Sequence, residues 1–525
     1  MKYFYERNEK VLNSKINCPF EDLLDMTPDH FTIWVSEVRK TVKDSWDTTD
    51  CPPRSGRSEE QIIKGFNKLS TYNTQEMIHT DELSDQENDV ILNVARKGTE
   101  VDQFFPTMMK TRINYSNKDN GYSVYDMFAD DKFQDRMVKG FNRHFKRDSF
   151  YHYSMGIKKK QYPNIQNGIS WVLTFAKNPQ MFKDHDFWLC EVKQQAGKNT
   201  GYYQVEQSDF FVLSANEVKQ CWEAEYLTKR QVSNIDVNDL KDDCIYMVRY
   251  FKKGQKVFPK AFTAFKIGYI QVATNFPPMT AKYLYERFTE DIKDQEVINI
   301  YDPSSGWGGR ILGAMSVKDD RKIHYIGTDP NPDNYIADLG MTRYEYMAEF
   351  FNTQTYRGNP FFSETNTHDI FRDGSEVIHM NPRFQKYKGQ LDLVFTSPPY
   401  FAKEAYSDDP NQSYKKFPTY EGWRDGFLKQ TLTTAVEYLK PGRYLLWNIA
   451  DANFAGKFMP LQTDSRKILE DLGMVYQYDL KMAMALMPGQ NRVDENGIPK
   501  CLNYCRVDSK YLKHEPVMVF RKPYI

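Results

Sequence analysis

Residues 297–310 read VINIYDPSSGWGGR: Val297 to Tyr301 are apolar or strand-forming, and Asp302-Pro303-Ser304-Ser305-Gly306-Trp307-Gly308-Gly309-Arg310 follow directly. A helical run, Ile311 to Met315, comes next. Strand, glycine-rich turn and helix in that order form the opening unit of an α/β sheet. The glycines let a ligand approach the backbone closely, and the start of the helix adds N–H donors. Their spacing is not GxGxxG and no GK[ST] follows, which disfavours a dinucleotide fingerprint and a P-loop. Asp302 at the strand end would repel a pyrophosphate and suits a cationic ligand, such as one bearing an ammonium group.

The same texture continues to the C-terminus. Strands are predicted at Val297–Tyr301, Ile323–Gly327, Leu391–Phe395, Tyr444–Ile449 and Pro516–Phe520, each short and nearly continuous in hydrophobicity. Strands covered on both faces read this way. Trp423, Phe427, Leu428, Leu432, Ala435, Val436 and Leu439 repeat at helical spacing, and Lys440-Pro441-Gly442 is expected to stop that helix. The expected architecture is a doubly wound α/β sheet over residues 271–525, preceded by a less regular α+β region, 1–270, of one or two subdomains. In that region Ser58 to Leu69 reads as a helix with Ser58 as N-cap, and Trp171 to Leu213 reads as strand-like.

Two further pieces stand at predicted strand ends. Asp329 closes IHYIGTD, where an acid accepts hydrogen bonds from ribose hydroxyls or caps a helix before Pro330. Thr396-Ser397-Pro398-Pro399-Tyr400 follows LDLVF. Two prolines stiffen the backbone and leave carbonyls free of neighbouring N–H donors, an acceptor array suited to an exocyclic NH2 group. Such an amine is conjugated with its ring and a poor nucleophile. Accepting its N–H bonds at the Ser397 hydroxyl and Pro398 carbonyl favours a pyramidal nitrogen with an available lone pair. Tyr400 is a candidate stacking platform. Extruding a base from a duplex costs roughly a few kcal/mol, and stacking of about 1–3 kcal/mol offsets much of it.

DPSSGWGG, a downstream strand ending in Asp, and TSPPY after a later strand together resemble the signature of the S-adenosylmethionine-dependent amino-group DNA methyltransferases. The resemblance covers about the last half of the chain. It implies a Rossmann-like fold, S-adenosylmethionine as cofactor, DNA as partner, and N4-cytosine or N6-adenine as acceptor. It implies cofactor-binding roles for Asp302, Ser304, Gly306, Gly308, Gly309 and Asp329, and catalytic roles for Ser397, Pro398, Pro399 and Tyr400. Asp369, in THDIF, resembles the acid that approaches the cofactor's adenine. Phe276-Pro277-Pro278-Met279-Thr280 resembles the segment that closes over its methionine end, with Thr280 in contact. The chain departs from the pattern at Trp307-Gly308-Gly309-Arg310, bulkier than the usual turn, and at Ser397, where many relatives carry aspartate. Methylation of RNA or of a protein glutamine, and a catalytically silent DNA-binding protein of the same fold, remain as alternatives.

Little chain follows Tyr400 beyond sheet elements, so target recognition is expected in the N-terminal half. Lys139, Arg143, Lys146 and Arg147 interleave there with Phe141 and Phe145. Cations can neutralise phosphates while rings contact bases, or the rings can form the core face of a helix whose other face is solvated. Asp184, Asp186, Glu191 and Lys193 around FWLCEV leave a nuclease as a minor reading, the acids being too closely spaced for a comfortable match.

Composition adds bounds. Seventy Lys and Arg balance 71 Asp and Glu, so no global positive field announces nucleic acid. Aromatic content is 15%, which suits stacking surfaces. Seven scattered cysteines fit a reducing cytoplasm, and Cys501 and Cys505 read as free thiols, with no metal expected. MKYFYERNEK lacks a signal-peptide apolar region and no run is long enough to span a bilayer, so no membrane partner is expected. The family implies a prokaryotic or phage-infected cell, with a restriction partner left open.

Overall fold

A computed structural model describes residues 9–49, 52, 57–93, 97–113, 121–145, 151–154, 185–195, 210–223, 238, 240, 245–263, 272–293, 295–317, 322–356, 366–454, 456–484, 498 and 503–524. Among the described residues the central sheet has ten strands, seven of which are β1 (Val297–Asp302), β2 (Lys322–Thr328), β3 (Thr367–Phe371), β4 (Leu391–Thr396), β5 (Leu439–Asn448), β6 (Val475–Ala483) and β7 (Lys510–Arg521); Tyr504–Val507 is another, antiparallel to β7. Their order is β3-β2-β1-β4-β5-β7-β6. The first five strands are parallel, and β7 lies antiparallel to both β5 and β6. This is the doubly wound, Rossmann-like sheet expected of an S-adenosylmethionine-dependent methyltransferase. The chain winds one way from β1 to β3 and then returns to the other side of β1 as β4. The crevice at that reversal is where ligands bind in such sheets.

Alternation sorts the strand residues onto two buried faces. Ile298, Ile300, Tyr325, Leu393, Phe395, Leu446, Val517 and Val519 meet helices α1 (Pro278–Phe288), α2 (Gly309–Met315) and α3 (Arg343–Tyr356). Tyr301, Ile326, Val394, Leu445, Trp447, Met518 and Phe520 meet α4 (Lys429–Tyr438) and α5 (Leu461–Asp471). Both faces are covered, hence the near-continuous apolar runs.

The five predicted strands are present, together with two that the apolar pattern does not mark. β3 carries His368 and Asp369, and β6, VYQYDLKMA, alternates polar and apolar residues, so neither forms an apolar run. The helix predicted from Trp423 is interrupted: a turn at Tyr420–Trp423 leads through a π-helical segment, Arg424–Leu428, into α4. The helix ends at Tyr438, just before Lys440-Pro441-Gly442 as expected, but these three residues already lie within β5, with Lys440 Nζ bound to Asp392 at 2.7 Å.

Earlier residues pack on this sheet as well. Val90–Leu92 pairs parallel with β6, and Ile78–His79 pairs with Val90–Leu92. The helix Glu59–Ser70 starts at Ser58 as expected, with a capping box in which Ser58 Oγ accepts from Gln61 N at 3.2 Å. Ile62, Phe66, Phe104 and Phe105 join the α1–α3 face of the core. A second core forms where Pro28–Thr49 packs on Val124–Ala129 and Gln134–Phe145. Of the stretch read as strand-like, Trp171 to Leu213, the described parts form the strand His185–Gln195 and the start of Phe210–Ser214, and the rest lies outside the described residues; both strands pair with a further strand, Ile245–Lys252.

Lys481 of β6 holds the added edge in place. Its ammonium lies 2.7 Å from Asp81 Oδ2 and 2.6 Å from Asp89 Oδ2, both carboxylates being buried. Burial works to raise the Asp81 carboxyl, but Lys481 and the N–H groups of Arg506 and Leu83 outweigh it and hold it below the usual carboxylate range. A depressed folded-state pKa stabilises above the unfolded-state value and is lost as pH falls through the folded one. Lys481→Met should therefore destabilise the protein by about 3 kcal/mol near neutral pH, since it leaves two buried carboxylates unpaired. Urea unfolding would read this; an unchanged midpoint would show that the clasp contributes nothing.

Candidate active site

At the carboxyl end of β1 the fully buried Asp302 carboxylate collects four donors. Oδ1 accepts from the Thr396 hydroxyl at 2.7 Å and from Ser304 N at 3.2 Å. Oδ2 accepts from Arg310 Nε at 2.7 Å and from the Tyr325 hydroxyl at 2.5 Å. The Arg310 guanidinium also donates to the Ser304 carbonyl. Burial opposes the Arg310 charge, yet Asp302 and the Tyr325 phenol raise it above its ordinary value. The sequence suits Asp302 to a ligand's ammonium, but the cation it faces belongs to the chain. A carboxylate with four donors has no lone pair to spare.

The turn over this network is tightly enclosed. Gly308 has φ +78°, a region unfavourable to side chains, and a Cβ there would lie 2.3 Å from Phe105 Cε2. A Cβ on Gly309 would lie 2.1 Å from the Phe276 carbonyl oxygen. Trp307 is buried against Tyr406 at 5.6 Å between ring centroids, and its carbonyl accepts from Asn275 Nδ2 at 2.6 Å. The bulk of the WGGR departure thus goes into packing and the Asp302 ion pair. Ser304 and Gly306 are half-buried, and the Tyr344 hydroxyl lies within reach of both the Gly306 carbonyl and Asp329, which share its one proton. The neighbouring Ser305 hydroxyl is buried without a partner.

Asp329 lies beyond β2 beside this turn. Oδ2 accepts from Tyr344 at 2.6 Å and Asn334 at 2.5 Å, and Oδ1 accepts from Asn331 N at 3.0 Å. One Oδ1 lone pair stays open. Burial raises its carboxyl above the usual range, against those hydrogen bonds. Thr280, in α1, is buried with its hydroxyl unpartnered. Its segment lies over the β1–β4 junction: Phe276 packs on Phe395 at 5.3 Å and lies 5.5 Å from the Arg310 guanidinium. Asp369 is not brought to the crevice. It sits within β3, level with Ile326, and its carboxylate is bound by Lys386 Nζ at 2.8 Å and by the Tyr387 hydroxyl.

Ser397 to Tyr400 leave the end of β4, next to β1. Pro398 is buried; Ser397, Pro399 and Tyr400 are half-buried. The Tyr400 hydroxyl accepts from Ala450 N at 3.2 Å, and Lys403 Nζ lies 5.0 Å from the ring centroid. The phenol is pushed well up by burial and by the Glu515 carboxylate. Burial also raises the carboxyls of Glu404 and Glu515. Glu404–Ala405 pairs with Arg112–Ile113, which brings the chain before residue 270 to the edge of this site. Tyr344, Glu404 and Glu515 also lie at this site, and nothing in the sequence pattern marks them.

The basic stretch resolves toward packing where it is described. Phe141 and Phe145 are buried against Trp34, and Lys139 is exposed on the opposite side of their helix. Arg143 lies on the same helix, while Lys146 and Arg147 lie outside the described residues. Asp186, Glu191 and Lys193 share one strand, and Asp184 is likewise outside. Among the described residues no cluster of His, Cys, Asp or Glu is arranged to hold a metal, and no helix is long and apolar enough to cross a membrane.

No family model and no curated protein matches the chain. Solved structures similar to it include a SAM-dependent methyltransferase of Methanosarcina mazei, 11% identical over 46% of this chain and 98% of that one, with a TM-score of 0.24. Another is a Thermus thermophilus protein described as a candidate DNA modification methylase, 20% identical, with a TM-score of 0.19. That match covers 29% of this chain and about half, 52%, of the other. A third is TrmN of Thermus thermophilus, 13% identical over 58% of this chain and 66% of that one, with a TM-score of 0.25. At such identities and scores the fold of this chain rests on its own strand order.

Arg310→Ala should destabilise the protein by about 3–5 kcal/mol, because it leaves Asp302 charged, buried and without its cation. Thermal or urea unfolding would measure it. A loss under about 1 kcal/mol, the range of a surface pair, would mean that the ion pair does not hold this site together.

Proposed function

We propose that this chain transfers a methyl group from S-adenosylmethionine to the exocyclic amine of cytosine (N4) or adenine (N6) in DNA. The observation that carries the proposal is the 2.7 Å hydrogen bond from Thr396 to Asp302. It ties the glycine turn after β1 to the residue preceding Ser397, so that a cofactor site and an amine site share one crevice at the point of sheet reversal.

The bound cofactor would supply an electrophilic sulfonium methyl group. The chain's residues fit such a ligand. Ser305 and Thr280 carry buried hydroxyls without partners. An unsatisfied buried polar group costs about 1–3 kcal/mol, so these are places for ligand donors or acceptors. Asp329 keeps one lone pair for a ribose hydroxyl. Asp302 acts through its neighbours, fixing the Ser304 backbone and Thr396. The amine would lie against Ser397 and the Pro398 carbonyl, which accept its N–H bonds, with the base stacked on Tyr400. Hydrogen bonding from Ala450 holds that ring in orientation.

Target recognition is assigned to the N-terminal half, which meets the site at Arg112–Ile113. The serine at position 397 and the long N-terminal extension favour DNA over RNA or protein glutamine.

Incubation of the purified protein with methyl-tritiated S-adenosylmethionine and unmodified DNA should label the DNA. Tyr400→Ala should lower kcat/KM by roughly 10- to 100-fold, the equivalent of one lost stacking contact. Label entering RNA or protein in place of DNA would overturn the choice of substrate.

A further inference from the structure

Asn448 ends β5, and its side chain is 1% exposed. Its Nδ2 donates to the Pro516 carbonyl at 2.9 Å, which fixes the amide and leaves Oδ1 as the remaining polar atom. That oxygen is buried and has no hydrogen-bond partner. Its place in the sheet is well defined. Thr396 and Trp447 are paired across β4 and β5, so Asn448 follows its strand at the level where Ser397 follows the neighbouring one. On its other side Asn448 pairs with Val517 of β7, two residues from Glu515. Two residues further along, Ala450 N holds the Tyr400 hydroxyl.

Resting on the methyl-transfer reading above, we infer that Asn448 is a further catalytic residue, whose side-chain oxygen accepts one N–H of the acceptor amine. Buried amide oxygens are nearly always satisfied, and leaving one open costs about 1–3 kcal/mol. The Asn448 oxygen is thus open to a donor from outside the chain, and the NH2 of a base stacked on Tyr400 would supply one. At the end of β4 the side chain of Ser397 is short. The neighbouring strand supplies the longer acceptor.

In this arrangement Asn448 takes the N–H assigned above to the Ser397 hydroxyl: with one N–H directed to the Pro398 carbonyl and the other to Asn448, the nitrogen is drawn out of conjugation. Its lone pair forms the bond to the methyl carbon, while the electrons of the breaking carbon–sulfur bond stay on sulfur. The surplus proton leaves to water, since an amide oxygen is too weak a base to keep it.

The test compares wild type with Asn448→Ala and the near-isosteric Asn448→Asp, using unmodified DNA and tritiated S-adenosylmethionine. Asn448→Ala should lower kcat roughly 30-fold while KM for DNA and calorimetric affinity for S-adenosylmethionine stay within about threefold, the pattern of a contact strengthened in the transition state. Asn448→Asp keeps an acceptor oxygen and should recover part of the lost rate; it also serves if the alanine variant fails to fold. Unchanged kcat in both variants, or a raised KM at constant kcat, would overturn the inference and leave the methyl-transfer reading standing. A wild-type protein that binds S-adenosylmethionine but labels no DNA would overturn both.

Discussion

The buried carboxylate of Asp302 is the point on which the parallel sheet and its turns depend. A single charged group in a fully enclosed position is costly unless paired and hydrogen-bonded. Its four donors come from four places in the chain: Ser304 in the turn, Arg310 in α2, Tyr325 in β2 and Thr396 at the end of β4. Satisfying one carboxylate thus fixes the turn after β1, the start of α2, and the positions of both strands flanking β1. The two segments with chemical content then face one crevice without needing to touch each other.

Around that centre, the first part of the chain acts as part of the same body. The Phe105 ring packs at a tilt against Tyr344, 4.9 Å between centroids, and the Tyr344 hydroxyl lies between Asp329 and the Gly306 carbonyl. A packing contact from before residue 270 therefore bears on the residue expected to hold a ribose. Arg112–Ile113 reaches the other side of the crevice through Glu404–Ala405. Between these two contacts, residues 101–113 run along the site, so a partner bound by the N-terminal half and a base in the crevice would be read by adjoining surfaces.

Much of the sheet from β1 onward is legible in the sequence because doubly covered parallel strands leave continuous apolar runs ending in marked turns. β1, β2, β4, β5 and β7 are visible that way. β3 and β6 are not, because His368, Asp369 and the alternating polar residues of β6 break the run. Glycine turns and SPPY advertise backbone chemistry and can be placed. Side-chain pairings cannot: that Arg310 takes the carboxylate of Asp302, and that Asp369 is claimed by Lys386 and Tyr387, depends on contacts that only the folded chain makes. Asn448 lies in plain view at a strand end, yet only the orphaned oxygen distinguishes it from any other polar strand terminus.

Transfer of a labelled methyl group, followed by identification of the modified nucleoside, tests the central claim most directly. With trideuteromethyl S-adenosylmethionine and unmodified DNA, digestion and mass spectrometry should find the deuterated methyl on the exocyclic nitrogen of deoxycytidine or deoxyadenosine. Label on a ring carbon, or no labelled deoxynucleoside while the cofactor binds, would contradict it.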